Sequence, residues 1–258
     1  MSYTIEQNFI PGLPKEPYDN GHYVGVVAHA TANNGDSADS ERNYESTTWQ
    51  NAFVHFFVDD LKIEQVADFN YVCYGAGHTA NHLGYVQVEL CQTTDATKFT
   101  KAYAMYTWLL AKLLYNRKLF VVDGVTIMSH AQVSAKWKES NHSDPIDYLA
   151  SHGKTWANFV ADVTAQYKVM EGENSVLKVA VLLFTKDDIW SGADVAVKNG
   201  NCAVFVRAAD LSVPTDAMTA KQLIVVGGRT TKHPNEILLS GKDKYQTAAA
   251  VAKYLGGN

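Results

Sequence analysis

The run Tyr23-Val24-Gly25-Val26-Val27-Ala28 limits most strongly what this chain can fold into. Six uncharged residues, three of them Val, predict a buried strand and so a sheet with cover around it. The strand delivers His29, and a side chain at the C-terminal end of a strand is held on a rigid element. A second stretch points the same way. It runs from Ser129-His130 to Asn141-His142-Ser143-Asp144-Pro145 and sets a His and an Asp fourteen positions apart, with another His two residues before the Asp. Imidazole and carboxylate suit Zn2+, and a catalytic zinc usually takes three protein ligands and keeps one position for water. His29, His130 and Asp144 would fill those three positions. The chain holds nine His, however, so such a set also arises by chance, and the residues alone leave both readings open.

A length of 258 residues allows one large domain or two small ones. With 47% hydrophobic and 19% charged residues there is ample material for a core. A net charge of −5 argues against general nucleic-acid binding, which needs a basic face. Cys73, Cys91 and Cys202 form no CxxC and leave one odd, so they read as buried hydrophobes or free thiols made in a reducing compartment. The opening Met1-Ser2-Tyr3-Thr4-Ile5-Glu6 lacks the basic and apolar regions of a secretory signal. No run approaches the roughly eighteen apolar residues of a membrane span.

Along the chain, residues 1–20 read as an extended lead-in punctuated by Pro and Gly. A helix capped by Ser or Asp is predicted within 37–50. Phe53-Val54-His55-Phe56-Phe57-Val58 and Lys62-Ile63-Glu64-Gln65-Val66 form a hairpin turned at Asp59-Asp60. Residues 71–84 read as a loop, 85–90 as a strand carrying Glu89, 94–119 as a long helix, 124–128 as a short strand leading to His130, and 145–167 as helical. Trp156, Phe159 and Val163 sit at helical spacing and are core material. Read alone, Glu89 is first a solvent-facing strand residue, and His142 is as readily a loop His bonding a carbonyl. His55 and His78 fit a groove lining or a structural role equally.

The order of these features resembles the type-2 branch of the zinc N-acetylmuramoyl-L-alanine amidases, which includes phage endolysins and peptidoglycan recognition proteins. The resemblance covers roughly 5–165 and is carried by Asn8-Phe9-Ile10-Pro11, Val27-Ala28-His29-Ala30-Thr31-Ala32, residues 53–60, Val86-Gln87-Val88-Glu89-Leu90, and the stretch from His130 to Pro145. It implies a mixed β-sheet flanked by helices, with His29, His130 and Asp144 as zinc ligands. Glu89 would be the active-site glutamate and His142 the group that stabilises the oxyanion. Many members have Trp-His-Ala-Gly where this chain has Tyr74-Gly75-Ala76-Gly77, so substrate contacts there are open. The last ligand is Asp rather than Cys, which the family allows. The implied activity is hydrolysis of the bond between the muramic acid lactyl group and L-Ala in peptidoglycan. A bacterial autolysin of the same chemistry and a non-catalytic peptidoglycan-binding protein are the alternatives. Lack of a signal favours the phage version, held in the host cytoplasm and acting on the wall after release.

The polar stretch 168–175 reads as a linker, separating a catalytic domain at 1–167 from a second at 176–258. Beyond it, apolar runs at 177–184, 202–206 and 223–226 alternate with helical segments, which argues a small parallel α/β unit. Ile224-Val225-Val226-Gly227-Gly228 followed by Leu239-Ser240-Gly241-Lys242-Asp243-Lys244-Tyr245 resembles one unit of the type-2 cell-wall-binding repeat of Gram-positive surface proteins. That implies a Gram-positive wall polymer as partner, bound by local patches or hydrogen bonds given the negative net charge. A single unit of this size buries a modest core, and self-association would cover the apolar surface left over.

Overall fold

The computed structural model describes residues 2–256, without the side chains of 173–175. It divides into two compact units, Met1–Glu171 and Gly172–Asn258. The first holds β1 (Ile5–Gln7), β2 (Gly25–Asn34), α1 (Ala38–Thr48), β3 (Phe56–Val58), β4 (Ile63–Gln65), α2 (His78–Leu83), β5 (Tyr85–Gln92), α3 (Ala96–Asn116), β6 (Ile127–Ser129), α4 (His130–Trp137), α5 (Ile146–Ser151) and α6 (Trp156–Ser175). Its six strands run in the order β1-β4-β3-β5-β2-β6. The β3–β4 pair is antiparallel and the others are parallel, which makes the sheet mixed.

β2 lies between β5 and β6 because its residues bury both faces. Val26 and Ala28 enter the core under α3, whereas Val27 enters the opposite core with Ala76, Ala80, Met128 and Val133. β5 alternates in step, with Val86, Val88 and Leu90 on the α3 side and Gln87 and Glu89 on the other. α3 presents Tyr106, Leu109, Leu110 and Leu114 to the sheet, all fully buried. Its Tyr106 hydroxyl donates to the carbonyl of His29 at 2.8 Å and fixes the end of β2 from behind.

The structure corrects several readings of the sequence. Residues 5–7 are a paired edge strand rather than a loose lead-in. The loop at 71–84 contains α2. The helical stretch at 145–167 is two helices, because His152 ends α5 and Gly153 follows at φ +73°, a left-handed conformation that suits a residue without Cβ. The stretch 168–175 is helical, as the end of α6, with the division between the two units inside it, and Met170 is buried in the first core.

The second unit holds β7 (Ala180–Leu183), α7 (Ile189–Lys198), β8 (Ala203–Val206), α8 (Thr215–Met218), β9 (Leu223–Val226), β10 (Glu236–Leu239) and α9 (Lys244–Leu255). Its sheet, β10-β9-β7-β8, is wholly parallel. β7 and β9 are buried on both faces, between cores that hold Val181 and Ile224 on one side and Leu182 and Val225 on the other. The fourth strand, β10, has no counterpart among the runs read from sequence. All three cysteines are free thiols.

Candidate active site

Four side chains meet at the carboxyl ends of parallel strands, where open α/β sheets place ligands. His29 lies near the end of the buried part of β2, which runs to Thr31, and is 1% exposed. Glu89 is its register partner on β5, so both project from the same face. On the other side Ala28 pairs with Ser129 of β6, and His130 follows as the first residue of α4. A capping box sets that helix start: the Ser129 hydroxyl accepts from the Gln132 amide at 3.0 Å, and the Gln132 side chain accepts from the Ser129 amide at 2.9 Å. Asp144 comes from the loop after α4. Its backbone carbonyl accepts from the Ala131 amide at 3.2 Å, which ties that loop to the helix it left.

His29 Nδ1 lies 3.1 Å from Asp144 Oδ2, and His130 Nδ1 lies 3.1 Å from Oδ1. One atom from each of the three residues falls within 4.8 Å of the others, and among the described residues this is the only such group of metal-ligating side chains. Burial works against a charged Asp144, yet hydrogen bonds from the two imidazoles outweigh it and hold the carboxyl well below the ordinary range. Burial also lowers the proton affinity of His130, against the pull of Asp144, which favours the neutral imidazole that a metal needs. His130 Nε2 lies 3.1 Å from the Ser140 hydroxyl, which in turn contacts the Ser134 hydroxyl at 2.6 Å. An outer hydrogen bond of this kind orients a ligating imidazole.

Two buried polar atoms around this point, His29 Nε2 and Glu89 Oε2, have no hydrogen-bond partner among the described residues. Orphans of this sort are rare and mark sites that hold an ion, water or substrate. Two imidazoles and a carboxylate with such neighbours fit a single zinc. Burial first, then the charges of Asp144, Glu45 and Glu41, raises the Glu89 carboxyl well above its ordinary value. His142 stands at the rim with its side chain 63% exposed. Its ring stacks on His130, centroids 4.5 Å apart and planes 3° apart.

These residues line a groove of about 360 Å³ together with Asn51, Ala52, Tyr74, Gly75 and Gly77. The Tyr74–Gly77 loop therefore walls the groove even without the family's Trp-His. Glu139 joins that wall to the ligand loop, with its carboxylate accepting from the Thr79 amide and hydroxyl, each at 2.6 Å. Neither His55 nor His78 belongs to the groove lining. His55 is fully buried, and His78 packs on His82 at 4.2 Å. Ser140 and Glu139 went unmarked in the sequence, although both lie inside the stretch that carries the ligands.

The fold is amidase-like, a mixed sheet flanked by helices, with the candidate site at the carboxyl ends of its strands. Residues 20–147 match the N-acetylmuramoyl-L-alanine amidase family. The chain is similar to the endolysin of Listeria phage A511, 39% identical over 68% of this chain and 52% of that protein. It is also similar to Protein Ami of Listeria monocytogenes, 36% identical over 65% of this chain and 19% of that one. It therefore spans about half the length of the first and under a fifth of the second. Among solved structures, the Staphylococcus aureus hydrolase AmiA in complex with its ligand aligns with a TM-score of 0.64 and 29% identity, over 67% of this chain and 87% of that one.

Proposed function

We propose that this chain is a zinc-dependent peptidoglycan amidase of the endolysin type, which hydrolyses the amide between N-acetylmuramic acid and L-Ala. The observation that carries the reading is the convergence of His29, His130 and Asp144 within 4.8 Å beside the half-buried Glu89, whose Oε2 is buried without a partner among the described residues. A bound zinc supplies Lewis acidity and a water acidic enough to lose its proton near neutral pH. His29, His130 and Asp144 hold it. Glu89, with its raised proton affinity, takes the proton of the attacking water and returns it to the leaving amine of L-Ala. His142 at the rim offers a ring N–H to the oxygen on which negative charge develops.

For the second unit we propose a role in binding a Gram-positive wall polymer. Trp190 on α7 is 82% exposed and Tyr245 on α9 is 75% exposed, and such faces suit stacking on sugar rings. Ile189 and Val197 on α7 are exposed as well, and self-association would cover such apolar side chains. No helix among the described residues is long and apolar enough to cross a membrane.

Turbidity loss of purified Gram-positive walls, with and without chelator, tests the enzyme reading. The expected result is lysis that stops with chelator, returns with zinc, and frees new amino groups on L-Ala. Lysis that yields new reducing sugar ends instead would overturn it.

A further inference from the structure

α2 carries two imidazoles one turn apart, His78 and His82, in the run His78-Thr79-Ala80-Asn81-His82. Side chains four positions apart on a helix share a face, and this is the spacing by which a helix presents two His to one zinc. Their rings lie 4.2 Å apart, centroid to centroid. A carboxylate faces them from the lead-in, with Glu16 Oε1 at 3.7 Å from His82 Nδ1. That distance is too long for a hydrogen bond. It is close to the separation of two ligand atoms on one tetrahedral zinc, about 3.4 Å for bonds of about 2.1 Å. Neither imidazole makes a side-chain hydrogen bond among the described residues. Glu16 has no Lys or Arg as ion-pair partner among them either. Glu139 also lies near His78, but its carboxylate is taken up by the Thr79 amide and hydroxyl.

We propose that His78, His82 and Glu16 form a second zinc site, separate from the centre at His29, His130 and Asp144, with water in the fourth position. The inference is independent of the amidase reading. Two imidazoles and a carboxylate suit zinc, whereas magnesium and calcium take oxygen ligands. The three ligand atoms do not all fall within 4.8 Å of one another, as those of the first centre do. Closure falls to His78, which is exposed and free to turn, whereas the His82 side chain is 21% exposed. A site that must order a side chain to close on its ion binds more weakly than one already formed. The ion ties the lead-in to α2 and holds Glu16 in place. The other oxygen of Glu16 accepts from the Tyr74 hydroxyl at 3.4 Å, and Tyr74 lines the groove. Occupancy therefore steadies one wall of the groove without contact to the reacting atoms.

Equilibrium dialysis of the full chain against a range of free zinc, with metal analysis, tests the site. The native chain should take up two zinc ions in two steps, the second weaker. His78→Asn, His82→Asn and Glu16→Gln should each stop at one, because two remaining ligands are too few to hold the ion. Retention of the first step in each variant shows that it has folded, and His78 is exposed, so its replacement disturbs no packing. A second zinc that survives in both His variants overturns the site. Saturation of the native chain at one zinc that His78→Asn leaves in place overturns it too, with the amidase reading still standing. Saturation at one zinc that His78→Asn removes would support this site and count against the first centre.

Discussion

His29 and His130 differ in what holds them. His29 sits on a strand paired on both sides, whereas His130 depends on a helix cap and on Ser140. Losing either imidazole leaves too few ligands for a catalytic zinc. His130→Ala should therefore lose zinc and lytic activity together, as metal analysis and turbidity assays would show. Glu89→Gln should instead keep its zinc while turnover drops by about 10² or more, because it removes the proton acceptor and keeps the shape. Ser140→Ala tests the outer hydrogen bond: zinc affinity, measured by chelator competition, should fall by about 10–100-fold. An unchanged affinity would reduce Ser140 to loop packing. The sequence points to His29, His130, Asp144 and Glu89 only through the order of family features; read alone, Glu89 is first a solvent-facing strand residue and nine His leave the His/His/Asp set open. Ser140 was not legible there, since a serine that bonds across ten residues to a helix start leaves no period or motif. Glu41 and Glu45 read as ordinary polar positions of an amphipathic helix, and only the sheet behind α1 buries them.

Elements were legible where hydrophobic period set them and lost where turns or edge pairing did. β5, α1 and α3 stand close to their expected bounds, whereas β2 runs on to Asn34, past the apolar run that marked it in sequence. β1 was lost because three residues, Ile5-Glu6-Gln7, carry no alternation, and only pairing with β4 makes them a strand. His55 shows how an element's environment overrides a residue type. Its Nδ1 accepts from the Gln87 amide at 3.0 Å and its Nε2 lies 3.0 Å from the Tyr71 carbonyl, so the neutral ring is locked between β5 and the loop after β4. Burial, against the pull of the Tyr71 carbonyl, lowers its pKa from 6.5 to about 4. The unfolded chain then takes up this proton first as pH falls. Stability from this group is whole above pH 6.5, is lost on the way down to about 4, and changes no further below that. The loss is roughly 3 kcal/mol. Urea titrations at pH 7 and pH 4.5 should show a smaller difference for His55→Gln than for the native chain. Equal differences would place the acid sensitivity elsewhere.

For the whole molecule, the division between the two units, at Glu171/Gly172, falls inside the polar stretch 168–175 read as a linker, although that stretch is helical. The polar residues of 168–175 resemble a linker, yet Tyr167 and Met170 pack into the first core. A fragment of residues 1–167 should therefore melt about 4–8 °C below one of residues 1–175, given about 2 kcal/mol for a lost buried Met. Equal melting temperatures would show that the last turns of α6 contribute nothing to that core.

The centre of the first unit is also widely spread along the chain. His29 and Asp144, whose side chains touch, are 115 residues apart, and Tyr106 reaches the His29 carbonyl across 77. During synthesis at about 5–20 residues per second, roughly 6–23 s separate the appearance of the two partners. Long-range closures of this kind also slow folding. A nascent chain thus carries the first half of the centre without being able to complete it. In the proposed zinc enzyme, capture of the ion would become a clock that reads the arrival of Asp144, and a truncated translation product stopping short of it is expected to be inert toward the wall.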